Sequence, residues 1–122
     1  MFSKYIALHD NVTLKPITVL SDESIYYGEW HNKTELKHGR GIICYNNGDR
    51  FEGYIKDDMI LNGKMIYNTG VTYEGEWKND KQDGKGTETW LDGAIYTGDY
   101  KEGKKCGWGV FTWSDGSVSE LV

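Results

Sequence analysis

The chain has 122 residues and a mass of 14.0 kDa, the length of one module rather than of two independent domains or a transmembrane transporter. Sixteen glycines against one proline exclude collagen and proline-rich linkers, and an aromatic share of 14% excludes a solvating disordered tail. A net charge of −5 and a pI near 5.1 exclude non-specific nucleic-acid binding and weigh against anionic membrane surfaces.

In chain order, residues 1–25 read as an N-terminal cap segment. No apolar run near Met1 has the length of a signal peptide or membrane span, so the chain is expected inside the cell and not secreted. The sequons at Asn11 and Asn32 are then chance matches, and Cys44 and Cys106, without CxxC spacing, read as reduced thiols. Val12-Thr13-Leu14 and Ile17-Thr18-Val19 alternate like short strands around Pro16, while Phe2, Tyr5 and Ile6 fit the start of a helical turn equally well.

From Tyr26 onward one phrase, aromatic-x-Gly-x-aromatic, recurs four times at intervals of 22 to 25 residues. The copies are Tyr26-Tyr27-Gly28-Glu29-Trp30, Phe51-Glu52-Gly53-Tyr54-Ile55, Tyr73-Glu74-Gly75-Glu76-Trp77 and Tyr96-Thr97-Gly98-Asp99-Tyr100, with Ile55 the one lapse. A second phrase, Gly-x-Gly-x-x-x-aromatic, follows at Gly39 to Tyr45, Gly84 to Trp90 and Gly107 to Trp113. The second copy is degenerate, with Leu61 in the first glycine slot before Gly63 and Tyr67. Each unit closes on a turn pair: Asn47-Gly48, Thr69-Gly70, Asp92-Gly93 or Asp115-Gly116.

Two runs of five or six residues per unit, parted by polar turn residues, predict two strands and leave no room for a helix. The units are 26–50, 51–72, 73–95 and 96–118, with 119–122 a terminal edge strand in which Ser119 and Leu121 take the ring and glycine slots of a fifth copy. Together 26–122 form one repeat domain. Alternation puts Tyr73, Gly75 and Trp77 on one face and Glu74 and Glu76 on the other. The hollow left by each glycine is expected to lie under a ring from the adjacent strand. Eight such strands make an all-β, elongated, single-layer antiparallel sheet of consecutive hairpins.

At the third unit, residues 73–95, the sequence strongly resembles the MORN (membrane occupation and recognition nexus) repeat family, and the resemblance covers residues 26–118. It implies a sheet of hairpins without catalytic residues, used for scaffolding, for self-association, or for attaching assemblies to membranes and cytoskeleton. Phospholipid binding is implied too. The expected location is accordingly the cytoplasm, the cytoskeleton or a membrane-associated assembly.

Catalytic and ligand motifs fail one by one. Gly98 to Lys105 nearly spells a phosphate loop, but Lys105 stands where Ser or Thr must hold magnesium. Cys44, Thr89 and Thr112 occupy the third-glycine place of a dinucleotide fingerprint. The spacing of His9, His31, His38, Cys44 and Cys106 matches no zinc pattern, and no nucleophile elbow exists. Glu74 and Glu76, roughly 7 Å apart on one strand face, suit an inverting glycosidase. Glu29, Glu52 and Asp99 extend them into a repeating stripe, read as solvated. No cofactor or metal is expected.

Two binding surfaces are expected. A one-layer sheet cannot cover both faces, so Tyr26, Trp30, Tyr73, Trp77, Tyr96 and Tyr100 are predicted to line an aromatic groove for a partner segment. At the C-terminal edge Trp108 replaces Lys85 of the preceding unit, and with Val110, Val118, Leu121 and Val122 it makes an apolar end suited to a host protein or a second copy. The predicted function is a non-enzymatic adaptor for a larger assembly, its acidic stripe favouring a basic or amphipathic segment. The alternative is a membrane adaptor holding phospholipid headgroups on Lys56, Lys78, Lys81, Lys101, Lys104 and Lys105.

Overall fold

The structure, a computed structural model, describes residues 11–121. The sequence folds into β1 (Val12–Leu14), β2 (Thr18–Val19), β3 (Ile25–His31), β4 (Lys37–Cys44), β5 (Arg50–Lys56), β6 (Met59–Ile66), β7 (Thr72–Lys78), β8 (Lys81–Thr89), β9 (Ile95–Lys101), β10 (Lys104–Thr112) and β11 (Val118–Leu121). All belong to one antiparallel sheet in hairpin order, in which β1 and β2 share the outer side of β3. There is no helix among the described residues. The expected eight repeat strands, N-terminal cap and edge strand are all present, whereas the alternative of a helical turn at Phe2, Tyr5 and Ile6 lies outside the described residues.

Two kinds of turn alternate along the ladder. Within the second, third and fourth repeats, Asp57-Asp58, Asn79-Asp80 and Glu102-Gly103 join the strands as two-residue loops with φ positive at both positions. That conformation matches the right-handed strand twist. Between repeats the loops hold three residues: the Tyr45 amide donates to the Asp49 carbonyl at 2.9 Å around Asn46, Asn47 and Gly48, and the pattern recurs at Tyr67, Trp90 and Trp113. Gly48, Gly70, Gly93 and Gly116 take φ of 90 to 95°, where a side chain is strained.

One glycine per repeat strand falls in register with the next. Gly28, Gly41, Gly53, Gly63, Gly75, Gly86, Gly98 and Gly109 are Cα partners in an unbroken row across β3 to β10. Rings fill the space above the row on one face. The Tyr26 ring covers Gly41 on the neighbouring strand while its hydroxyl overhangs Gly28 on its own, and an added Cβ at either glycine would come within 3 Å of it. Tyr73 and Tyr96 repeat this over the pairs Gly75–Gly86 and Gly98–Gly109. The expected covering by an adjacent strand thus holds for second-strand glycines, while first-strand glycines lie under a ring of their own strand.

The core is this ringed face. Tyr26, Ile43, Phe51, Ile55, Ile60, Met65, Tyr73, Trp77, Tyr96 and Tyr100 form one buried cluster, with Tyr73 edge-on to both Trp77 and Tyr100 at about 5 Å between centroids. Adjacent repeats therefore hold each other through aromatic edges, as expected for a quasi-one-dimensional array.

Candidate functional site

Each hairpin carries a bulge beside its glycine pair. In β7–β8, Gly75 opposes Gly86 and Trp77 opposes Gln82, so two residues of β7 answer four of β8. The same shift occurs between Gly28 and Trp30 of β3 and between Gly98 and Tyr100 of β9. Three recurring groups hold it. The first glycine of Gly-x-Gly takes positive φ at Gly39 (104°), Gly84 (94°) and Gly107 (58°). The carboxylate three residues after the first ring closes over that glycine, with Glu29 over Gly39, Glu76 over Gly84 and Asp99 over Gly107. Glu29 also accepts the Arg40 amide at 2.7 Å. The tyrosine hydroxyl then caps the carbonyl freed by the bulge: Tyr26 donates to Glu29 O at 2.6 Å, Tyr73 to Glu76 O at 2.8 Å and Tyr96 to Asp99 O at 3.1 Å.

These contacts correct the reading of the acidic residues as one solvated stripe. Glu29, Glu76 and Asp99 fasten the bulges, Glu52 pairs with Arg50, and Lys85 donates to Asp99. That hydrogen bond holds the Asp99 carboxyl below the ordinary carboxylate range and the Lys85 ammonium above its own. Glu76 thereby has a structural task, which accounts for it without the glycosidase role.

The six rings expected to line an open groove sit largely in the core. Tyr26 and Tyr73 are fully buried, Tyr96, Tyr100 and Trp77 nearly so, and Trp30 is half-buried. Burial pushes the Tyr26 and Tyr73 hydroxyls far above the usual phenol range. What the face presents is a margin of second-phrase rings missing from the predicted set: Tyr45, Tyr67, Trp90 and Phe111 pack against the core from outside, and Trp113 is 44% exposed. Phe111 stacks between Trp90 and Trp113, and with Leu91, Val71 and Ala94 they line a cavity of about 490 Å³. The repeat position of Tyr45, Tyr67, Trp90 and Trp113, four residues after the second glycine, was the signal available in the sequence, and Phe111 follows from alternation two residues before Trp113.

The predicted C-terminal edge is laid out differently. Trp108 is 51% and Val118 59% exposed, so β11 does not fold back over Trp108 but pairs with β10 along Gly109–Thr112. Val110 is half-buried on the face opposite the rings. Leu121 lies opposite Gly109, at the end of the glycine row. Trp108 overlooks that row, bordering a cavity of about 730 Å³ with Gly75, Gly86, Gly98, Glu76 and Lys85. Beyond β11 no further strand pairs among the described residues.

At the opposite margin Lys105 enters the ringed face. Its ammonium lies 5.0, 5.3 and 5.5 Å from the centroids of Trp90, Tyr96 and Tyr100, and donates to Glu88 at 3.2 Å. Glu88 also accepts the Tyr100 hydroxyl at 2.8 Å, and burial together with that bond pushes Tyr100 far above the phenol range. The expected lysine row is thus broken: Lys105 is turned inward, while Asp57, Asp58, Asp80 and Glu102 share the exposed hairpin ends with the remaining lysines.

His31 and His38 do meet, ring edge to ring face at 5.1 Å, but each Nδ1 accepts a backbone amide, from Lys33 and Thr34 and from Asp57 respectively. Among the described residues no group of three His, Cys, Asp or Glu is placed to hold a metal ion, and no helix is long and apolar enough to cross a membrane. His9 lies outside the described residues. Cys44 and Cys106 are exposed free thiols.

A single sheet of consecutive hairpins, with a glycine row under rings and a bulge in every repeat, defines a β-hairpin repeat protein. Comparison with known families bears this out: the MORN repeat profile matches residues 36–50, 73–95 and 96–118, half of the chain, which belongs to the MORN repeat family. Alsin of Rattus norvegicus and of Mus musculus are each 31% identical over 77 residues, and alsin of Homo sapiens is 30% identical over the same length. These matches cover 58% of this chain, which spans only 4% of the length of each alsin. Among solved structures, the SAS-4 (dCPAP) TCP domain of Drosophila melanogaster, in complex with a proline-rich motif of Ana2 (dSTIL), aligns over 87% of this chain and 70% of its own with a TM-score of 0.46 and 10% identity.

Proposed function

We propose that the chain is a non-enzymatic adaptor that docks a partner protein of a larger intracellular assembly at its C-terminal edge and along the aromatic margin of its ringed face. The observation that carries this is the exposure of Trp108 and Val118 beside the last strand, where the preceding repeat has Lys85. A half-exposed tryptophan beside a sheet edge that no strand pairs among the described residues combines the anchor residue most enriched at interface hot spots with backbone groups suited to strand addition. Pairing with a second copy uses the same edge. The rings Tyr26, Trp30, Tyr73, Trp77, Tyr96 and Tyr100 serve the groove as its floor, and Tyr96, 5.1 Å from Phe111 between ring centroids, braces the stack of Trp90, Phe111 and Trp113. No cofactor, metal or nucleic acid enters this reading, and membrane lipid is the weaker alternative because acidic residues are interspersed among the hairpin-end lysines.

The test is affinity purification of the tagged chain from its source cells at low and moderate salt, beside Trp108→Ser and Val118→Ser. These surface changes are expected to leave the fold within about 0.5 kcal/mol of the original. A stoichiometric partner held by the original chain and lost from both variants is the expected result. Equal recovery with all three chains, or sedimentation with anionic vesicles in place of a protein partner, would overturn the reading.

A further inference from the structure

We propose that Trp90, Tyr96, Tyr100 and Glu88 form a cation-binding aromatic cage for a lysine or arginine side chain of a partner segment, and that Lys105 is its built-in occupant. Three ring centroids lie within 5.5 Å of the Lys105 ammonium, and the Glu88 carboxylate touches it at 3.2 Å. Each ring presents negative potential to a cation inside the distance at which the attraction is appreciable. The Glu88 side chain is only 15% exposed, so its charge is largely removed from water and calls for a counter-cation at that spot.

The neighbouring junctions show that this is a local invention and no property of the repeat. The slots held by Glu88, Trp90, Tyr96, Tyr100 and Lys105 hold Met65, Tyr67, Tyr73, Trp77 and Gln82 one repeat earlier. Gln82 there donates to the Tyr67 hydroxyl at 3.1 Å, a neutral contact in a neutral setting. At the junction before, the slots hold Ile43, Tyr45, Phe51, Ile55 and Ile60, with no carboxylate for a cation. Only the last junction combines a carboxylate with three rings.

The occupant sits on an exposed arm, whereas the cage walls belong to the core. Residues 101 to 108 are all exposed, while Tyr96 and Tyr100 are buried and Trp90 is stacked on Phe111. Lys105 therefore can leave without dismantling the site. Tethered beside it, Lys105 competes at an effective concentration of the order of millimolar, so a free cation binds weakly until the tethered one is removed. The cage names the basic chemistry of the partner invoked above and rests on that reading only for who supplies the cation.

The experiment titrates tetramethylammonium chloride, against sodium chloride at equal ionic strength, into the full chain and into Lys105→Gln, following the Trp90 indole N–H resonance assigned by a Trp90→Phe variant. Lys105→Gln is expected to bind at least about tenfold more tightly than the original chain, and Lys105→Gln with Glu88→Gln to lose that gain. Lys105→Met, which keeps the apolar stem over the rings, carries the same comparison if Gln perturbs the hairpin. No tightening in either Lys105 variant, or unchanged binding after Glu88→Gln, would overturn the cage. Because the probe is a small cation, failure here leaves the Trp108 edge untouched, and loss of the partner with Trp108→Ser leaves this titration untouched.

Discussion

The second and third repeats build the same hairpin around different bulges, and the differences between them come as a set. In the third, Tyr73 caps the carbonyl of Glu76, the Glu76 carboxylate covers Gly84, and two residues of β7 answer four of β8. In the second, Phe51 has no hydroxyl, Tyr54 stands in the carboxylate slot and Leu61 in the glycine slot. The bulge there shrinks: Tyr54 opposes Asn62 and Ile55 opposes Ile60, one residue fewer. Tyr54 then packs on Leu61, and Ile55 is fully buried where Trp77 stands in the third. The irregular phrase is thus a second self-consistent solution, in which a polar bulge is exchanged for an apolar one.

The largest effect expected separates packing from turn conformation. In Gly86→Ala the new methyl meets the Tyr73 ring and cannot be accommodated without moving a fully buried residue. A loss of about 3 kcal/mol or more is expected in urea unfolding. Gly93→Ala, where nothing lies within 4 Å but φ is +93°, is expected to cost about 1 kcal/mol. Equal costs would break the claim that the glycine row exists to admit rings.

A middle-sized effect divides the two bulges directly. Tyr73→Phe leaves the Glu76 carbonyl without its donor and is expected to cost about 1 to 2 kcal/mol. Phe51→Tyr in the second repeat supplies a hydroxyl where the ring already crowds Gly53 and Gly63 and is expected to destabilise as well. A stabilising Phe51→Tyr would show that the second bulge also leaves a carbonyl in need.

The gentlest test is alkaline pH. Burial raises Tyr45 from 10.0 to about 12, and Tyr26 and Tyr73 further, so the folded state keeps these hydroxyls protonated when the unfolded chain has lost them. Their contribution is complete below pH 10 and is lost as pH rises through the folded values. Above pH 10 each such tyrosine should cost about 1.4 kcal/mol of stability per pH unit. Tyrosinate absorbance that rises in step with unfolding is expected; full ionisation of the folded chain near pH 10 would contradict the burial.

Much of the fold was legible because its signals are local. Ring, glycine and turn residues recur at fixed offsets, and alternation alone assigns them to faces, so strand number, hairpin order and the exposed Trp108 followed from reading the chain. The candidate site was harder, because a one-layer sheet need not leave its rings open: Tyr73 lies edge-on to Trp77 and Tyr100, and the tilt that closes the groove is set by neighbours in the next repeat. Glu29, Glu76 and Asp99 looked solvated by alternation, which places a side chain on a face but does not reveal a bulge offering amides beneath it. Lys105 was missed for the same reason. In the sequence it is one of a run of hairpin lysines, and only the register shift before Gly109 turns it toward Glu88.

The central claim is that tyrosine hydroxyl, carboxylate and bulge act as one unit, and a double-mutant cycle at the third repeat tests it most directly. Tyr73→Phe, Glu76→Gln and the pair would be unfolded in urea with the original chain. Groups serving one bulge should couple by about 0.5 kcal/mol or more, the second substitution costing less once the first is made. Costs that add to within about 0.3 kcal/mol would show that the two contacts act independently and that the second repeat's set of replacements is no set at all.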